Sequence, residues 1–174
     1  MARIDQLEVG RRLTVATSYD TSEIVLGASI ACNGACLTAV ETTPGYFAVD
    51  VSGETLNKTT IGTWGIDSKI NLERALKAAD ELGGHLVLGH VDAVGTVQRL
   101  EREGENHRVD IEVPDSLKHY VASKGSITVD GVSLTVNEAM LFVLFERMSA
   151  NQLKTLPMQD CLQGILHTTN VRTS

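Results

Sequence analysis

Alternation of apolar and polar positions marks Tyr46-Phe-Ala-Val-Asp-Val51 as a strand, and the segment from Arg12 to Ala16 reads the same way. Between Thr17 and Ser22 the chain is polar, which predicts a turn or short helix before Ile24-Val25-Leu26. Asn33-Gly34 stands between runs of small, β-branched and apolar residues, the pattern of a two-residue hairpin whose turn needs positive φ. Glu54-Thr-Leu and Thr59-Thr-Ile then lead to Gly62 and a turn near Gly65. The first half is therefore mainly β.

The period changes at Asn71. Leu72, Ala75, Leu76, Ala79 and Leu82 recur at helical spacing, with Asn71 as a cap and Gly83-Gly84 as a stop, so a helix is predicted to join two halves. Beyond it, His85 to Val97 predicts a strand with glycine kinks, Arg108 to Val113 another strand, and Pro114 to Ser123 a short helix. A second hairpin is expected at Asp130-Gly131. From Met140 to Lys154 a further helix is predicted, with no counterpart in the first half.

The two hairpins are copies. Gly27 to Glu41 and Lys124 to Glu138 lie 97 residues apart, and six of their fifteen aligned positions are identical. A repeat of that length is a small domain rather than a solenoid unit. Side chains alternate faces along a strand, so Cys36 and Thr38 share one face, as do Ser133 and Thr135 in the second copy. A duplicated binding module suggests two related ligands handled together. Halves of this size are small for independent domains, so burial between halves or between chains is expected to add stability.

Composition narrows the partners. Net charge is −7 with no Lys/Arg cluster, which argues against a nucleic-acid phosphate track or an anionic membrane surface. The longest apolar run, Met140 to Phe145, is too short to cross a bilayer, and the opening residues lack the apolar core of a secretory signal, so a cytoplasmic protein is expected. Cys32, Cys36 and Cys161 form an odd set with no Cys-x-x-Cys pair, and the five histidines include no helical His pair beside a carboxylate. Neither a disulfide framework nor a metal site is expected.

The repeated Ser-Ile-x-x-x-Gly-x-[Cys/Ser]-Leu-Thr motif, Asn71-Leu-Glu-Arg-Ala-Leu, and Gly83-Gly-His-Leu-Val-Leu-Gly-His-Val-Asp92 occur in an order and spacing that resembles riboflavin synthase. The resemblance covers residues 12 to 138. It implies an all-β, mainly antiparallel fold: tandem duplicated six-stranded Greek-key β-barrels with short helices, the N-terminal lumazine-binding barrel over residues 1–84 and the C-terminal one over 85–174. It implies a transferase without a cofactor, in which two molecules of 6,7-dimethyl-8-ribityllumazine dismutate to riboflavin and 5-amino-6-(D-ribitylamino)uracil, the last step of riboflavin biosynthesis. It also implies a homotrimer whose active site lies between the N-terminal barrel of one chain and the C-terminal barrel of another, and it admits association with lumazine synthase.

Carried over residue by residue, the resemblance puts Cys36, His90 and Ser133 in the catalytic set. Around the first site it places Ser29, Leu37 and Thr38, then Asp50, Val51, Ser52, Gly53, Glu54 and Thr55, with Gly89, Val91 and Lys124. The second site takes Leu134 and Thr135, with Ile165, His167 and Thr168. The chemistry needs a proton removed from the 7-methyl of one lumazine, a nucleophile assisted onto the other, and two flat rings held in register. Cys36 and Ser133 occupy equivalent places, and near neutral pH a thiol is the better nucleophile and proton carrier, so the two barrels are not chemically equal. Cys36 and His90 are expected to assist the electron-accepting side, while Ser133 and Thr135 orient the other lumazine. Taken singly, each has a bland role: a strand Cys is usually a small buried hydrophobe, and Thr38 and Thr135 are strand formers. The duplication reverses that reading.

The chain departs from the family at both ends. It begins Met-Ala-Arg-Ile-Asp where relatives open Met-Phe-Thr-Gly-Ile, so the first strand of the N-terminal barrel is expected to be missing. Ile165-Leu-His-Thr-Thr169 stands where the family has Ile-Pro-[His/Glu]-Thr-Leu, the tail is atypical from about residue 139, and a closing strand and C-terminal helix are expected to be absent. Two rival readings are a non-catalytic lumazine- or flavin-binding protein of the same fold and a barrel serving assembly only.

Overall fold

The computed structural model describes residues 1–104, 106–137, 143–145 and 167–173. They build two six-stranded antiparallel sheets, one in each half of the chain. The first contains β1 (Arg3–Gln6), β2 (Arg11–Ala16), β3 (Ser29–Cys32), β4 (Ala35–Thr43), β5 (Tyr46–Val51) and β6 (Leu72–Arg74), in the order β1-β2-β5-β4-β3-β6. A six-residue helix α1 (Gly53–Lys58) follows β5. The second contains β7 (Ala93–Glu103), β8 (Asn106–Glu112), β9 (Ser126–Val129), β10 (Val132–Thr135), β11 (Val143–Phe145) and β12 (His167–Thr173), in the order β10-β9-β12-β7-β8-β11. Helix α2 (Asp115–Lys118) follows β8.

Matching β3 and β4 with β9 and β10 makes the two orders the same ring read from different starting points, β1-β2-β5-β4-β3-β6 corresponding to β7-β8-β11-β10-β9-β12. In the second sheet β12 pairs with both β7 and β9. In the first, the ring is drawn together beside the equivalent strands β1 and β6: the Met1 ammonium donates to the Ser68 carbonyl at 2.7 Å, and the Asp67 N–H donates to the Met1 carbonyl at 3.0 Å. The repeat is thus legible as barrel-like topology as well as sequence.

Each half has its own core. Leu13, Val15, Ile30, Phe47, Val49 and Ile61 are among the side chains packed together in the first, and Val97, Val109, Ile111, Ile127 and Val129 among those in the second. Strand β4 shows why these residues fold this way: Ala35, Leu37 and Ala39 are buried while Cys36, Thr38 and Val40 are exposed, one face to the core and the other to solvent. Burying each large aliphatic or aromatic side chain contributes about 1.5–3 kcal/mol.

Several expectations are corrected. The opening strand is present, since Arg3–Gln6 pairs with Gln6↔Arg11 to Arg3↔Thr14 along β2. A last strand is also present in the second sheet, where β12 bridges β7 and β9. The helix expected over Asn71–Leu82 does not form: Leu72–Arg74 extends along β3, anchored by the Asn33 N–H donating to the Asn71 carbonyl and the Asn71 N–H donating to Asn33 Oδ1. The apolar stripe beyond it is left uncovered among the described residues, with Leu76 and Leu82 both more than half exposed. Helices of this length depend on such packing. Residues 85–92 are not strand either: His85 and Gly89 engage the two hairpins, and pairing with β12 begins only where the Asp92 N–H donates to the Val171 carbonyl. Val143–Phe145, expected within a helix, is a strand paired with β8; the rest of Met140–Lys154 lies outside the described residues. Among the described residues no helix is long and apolar enough to cross a membrane.

Candidate functional site

Two hairpins organise the site. In β3–β4 the turn is Asn33-Gly34, at φ 45° and 78°, and in β9–β10 it is Asp130-Gly131, at φ 45° and 90°. Two consecutive positive φ values are the geometry of a type I′ turn. This fixes the register, so Ala31 faces Cys36 and Ser29 faces Thr38, and in the second copy Thr128 faces Ser133. Cys36, Thr38, Ser29 and Thr135 present exposed side chains, and Ser133 is half-buried. Leu37 and Leu134 are core residues, so their side chains face away from the surface their neighbours present.

The segment 84–89 crosses both hairpins as a strap. At one end His85 covers the Thr128/Ser133 pair: its Nδ1 lies 2.7 Å from Ser133 Oγ, and its Nε2 lies 3.0 Å from Thr128 Oγ1. A β-carbon on Gly84 would lie 2.7 Å from Ser133 Oγ. At the other end the Cys36 N–H donates to the Gly89 carbonyl at 2.8 Å, and a β-carbon on Gly89 would lie 2.4 Å from that of Cys36. The strap therefore meets the equivalent residue of each copy, Ser133 through a histidine and Cys36 through a glycine. The five steps from Gly84 to Gly89 reach at most about 18 Å, which limits the distance between its two ends.

The imidazole sits between two hydroxyls. A neutral ring has one donor and one acceptor nitrogen, so one hydroxyl donates to it and the other accepts. With Nδ1 unprotonated, Ser133 donates and His85 can take its proton, while Nε2–H donates to Thr128. Cys36 has no such partner among the described residues and is open to solvent. Its neighbour Cys32 is buried, and burial pushes that thiol up to about 12.

The other predicted residues disperse. Asp50 is exposed and gripped by Arg12, whose Nε and Nη2 donate to its two carboxylate oxygens at 2.6 and 2.8 Å. That hydrogen bonding, more than the charge itself, holds the Asp50 carboxyl below its ordinary value. Ser52 caps α1, its hydroxyl accepting the Thr55 N–H at 3.1 Å; Gly53 and Glu54 form the first turn, and Val51 is core. Lys124 stands at φ 67° with Nζ donating to Asn137 Oδ1 at 3.2 Å, so it belongs to the base of the second hairpin. His90 is exposed, and Val91 packs on the first core. His167 and Thr168 lie on β12 opposite Val97 and Thr96, and Ile165 lies outside the described residues. A depression of about 260 Å³ on the first sheet is lined by Arg3, Thr14, Glu41 and Tyr46, among others, and includes none of these residues.

Sequence reasoning missed His85 and Thr128 as site residues. Thr128 was accessible: a two-residue loop at Asp130-Gly131 puts it opposite Ser133. For His85 no local signal distinguishes it from His90, and only the path of the strap does.

The family profile described as "Lumazine binding domain" matches residues 1–75 and again 88–160. Riboflavin synthase of Brucella abortus (strain 2308) is 45% identical over 140 residues, covering 78% of this chain and 69% of that protein. That of Mycobacterium bovis (strain ATCC BAA-935 / AF2122/97) is 47% identical over 127 residues, 72% of this chain and 63% of its own length, and that of Photobacterium leiognathi is 44% identical over 120 residues, 69% and 55%. Among solved structures, LumP complexed with 6,7-dimethyl-8-(1'-D-ribityl) lumazine superimposes with a TM-score of 0.81 at 22% identity, covering 99% of this chain and 93% of that one. LumP complexed with flavin mononucleotide gives 0.79 at 24%, likewise over 99% and 93%. Those structures establish the fold. Together with the twofold family match and the sequence identities, they lead to one conclusion: the chain belongs to the riboflavin synthase family.

Proposed function

We propose that this chain catalyses the family reaction, the dismutation of two 6,7-dimethyl-8-ribityllumazine molecules to riboflavin and 5-amino-6-(D-ribitylamino)uracil. A four-carbon unit leaves one lumazine and joins the other, so the two products share the atoms of the two substrates and no outside oxidant enters. The observation that carries this reading is the duplicated polar face, Cys36/Thr38 in one half and Ser133/Thr135 in the other, in a chain whose sequence matches the family over both halves.

Each half binds one lumazine against its hairpin. On the second face the Ser133 hydroxyl, coupled to His85, orients its lumazine and relays the proton lost from the acidic 7-methyl. On the first, the exposed Cys36 thiol assists addition to the accepting ring. Holding two rings in register supplies much of the acceleration, because it turns a bimolecular encounter into an oriented one. The copies act in the cytoplasm as a homotrimer in which the first half of one chain meets the second half of another, and the trimer can associate with lumazine synthase.

The test is incubation of the purified chain with the lumazine. Riboflavin fluorescence rising one-for-one with the pyrimidinedione supports the reading. Bound lumazine without either product overturns it in favour of a non-catalytic binding protein, and no binding at micromolar concentration leaves assembly as the function. A Cys36→Ser variant with undiminished turnover removes the thiol from the mechanism.

A further inference from the structure

The two hairpin turns meet. A β-carbon placed on Gly34 would stand 2.1 Å from the Gly131 nitrogen, 2.6 Å from the Asp130 carbonyl carbon and 2.7 Å from the Gly131 α-carbon. From the other side, a β-carbon on Gly131 would meet the Gly34 α-carbon at 3.0 Å and its nitrogen at 3.3 Å. Hairpin tips ordinarily project into solvent. Here the turn residues Asn33 and Asp130 are only 4% and 5% exposed. At Gly34 and Gly131 the equivalent turns of the two copies therefore meet backbone to backbone.

This contact has leverage. Cys36 lies two residues beyond Gly34, and Ser133 lies two residues beyond Gly131, on rigid strands that leave the contact directly. We propose that Gly34 and Gly131 are positioning residues for the reaction, their contact setting how the two lumazine-binding faces are placed relative to each other. The inference rests on the reaction proposed above. Because the reacting faces proposed above come from the first half of one chain and the second half of another, the contact acts by fixing the two-faced unit that each chain presents to its neighbour.

Substituting Gly34 combines two effects, loss of the contact and strain at positive φ, and Gly45 separates them. Its φ is 79° against 78° at Gly34, yet nothing lies within 4 Å of a β-carbon there. Turnover by Gly34→Ala, Gly131→Ala and Gly45→Ala is compared with fluorescence titration of single-lumazine binding. Gly34→Ala should lose roughly 10²-fold in turnover, the effect of misplacing reacting groups by about an ångström, and Gly131→Ala less. Gly45→Ala should stay within about twofold, because it carries the backbone strain alone. Affinity for one lumazine should hold in all three, since each face lies within one half. Should Gly34→Ala fail to fold, Gly131→Ala carries the test through its looser contacts. Turnover in both seam variants equal to that of Gly45→Ala overturns the inference, as does affinity falling in step with turnover. An inactive wild-type chain instead overturns the proposed reaction, and the positioning role with it.

Discussion

His85 Nδ1 and Ser133 Oγ lie 2.7 Å apart although 48 residues separate them in sequence, and Thr128 holds the far side of the same imidazole. The histidine leaves the strap to cover a pair of hydroxyls that the hairpin register has already set opposite each other. A side chain held at both nitrogens keeps its orientation without help from a ligand.

That coupling predicts non-additivity. Ser133→Ala and His85→Ala should each lower turnover by roughly 10²-fold, the lower end of what a positioned proton acceptor contributes. The double variant should fall no further than the worse single one, because both remove the same interaction. Steady-state turnover of the four proteins measures the cycle, and full additivity would show that the two residues act independently.

Cysteine chemistry should divide sharply between neighbours. Cys32 is fully buried and its thiol is pushed up to about 12, so it carries almost no thiolate near neutral pH, whereas Cys36 is exposed. Iodoacetamide should therefore alkylate Cys36 and leave Cys32 unmodified until the chain unfolds. Peptide mapping by mass spectrometry reads the order, and early modification of Cys32 would contradict the packing of the first core.

Asp50 sets an acid-side dependence. Its carboxyl is held below its ordinary value chiefly by the hydrogen bonds from Arg12, so the pair stabilises the fold above the unfolded carboxylate value of about 4. As pH falls through the lower folded value, that contribution is lost. The stability difference between the wild type and Asp50→Asn in thermal unfolding should shrink over that acid window. Added salt should shrink it too, since both groups are solvent-exposed and such pairs are screened.

What was legible in the chain was whatever its local chemistry decided. Asn33-Gly34 and Asp130-Gly131 specify their turns by backbone preference alone, and β4 and β5 follow from alternation. The family also followed from the repeat. Residues 72–82 misled because a helical stripe predicts a helix only if something covers it; Leu72–Arg74 gains more from pairing with β3. The opening strand was hidden because Arg3-Ile-Asp-Gln6 has almost no apolar alternation, and it forms because β2 offers a free edge. His85 was hidden for a different reason: its partners come from another part of the chain, and no period in its own neighbourhood encodes them.

Where Gly34 meets Gly131 the two halves touch through peptide groups, and that limits how this contact can evolve. A side-chain interface can drift through compensating exchanges of size and charge, each tuning the fit by a little. The meeting of Gly34 with Gly131 has no such adjustable part. Drift elsewhere in either copy passes it by, while a change at Gly34 removes it in one step, so the two modules can diverge freely in what they bind without losing their alignment.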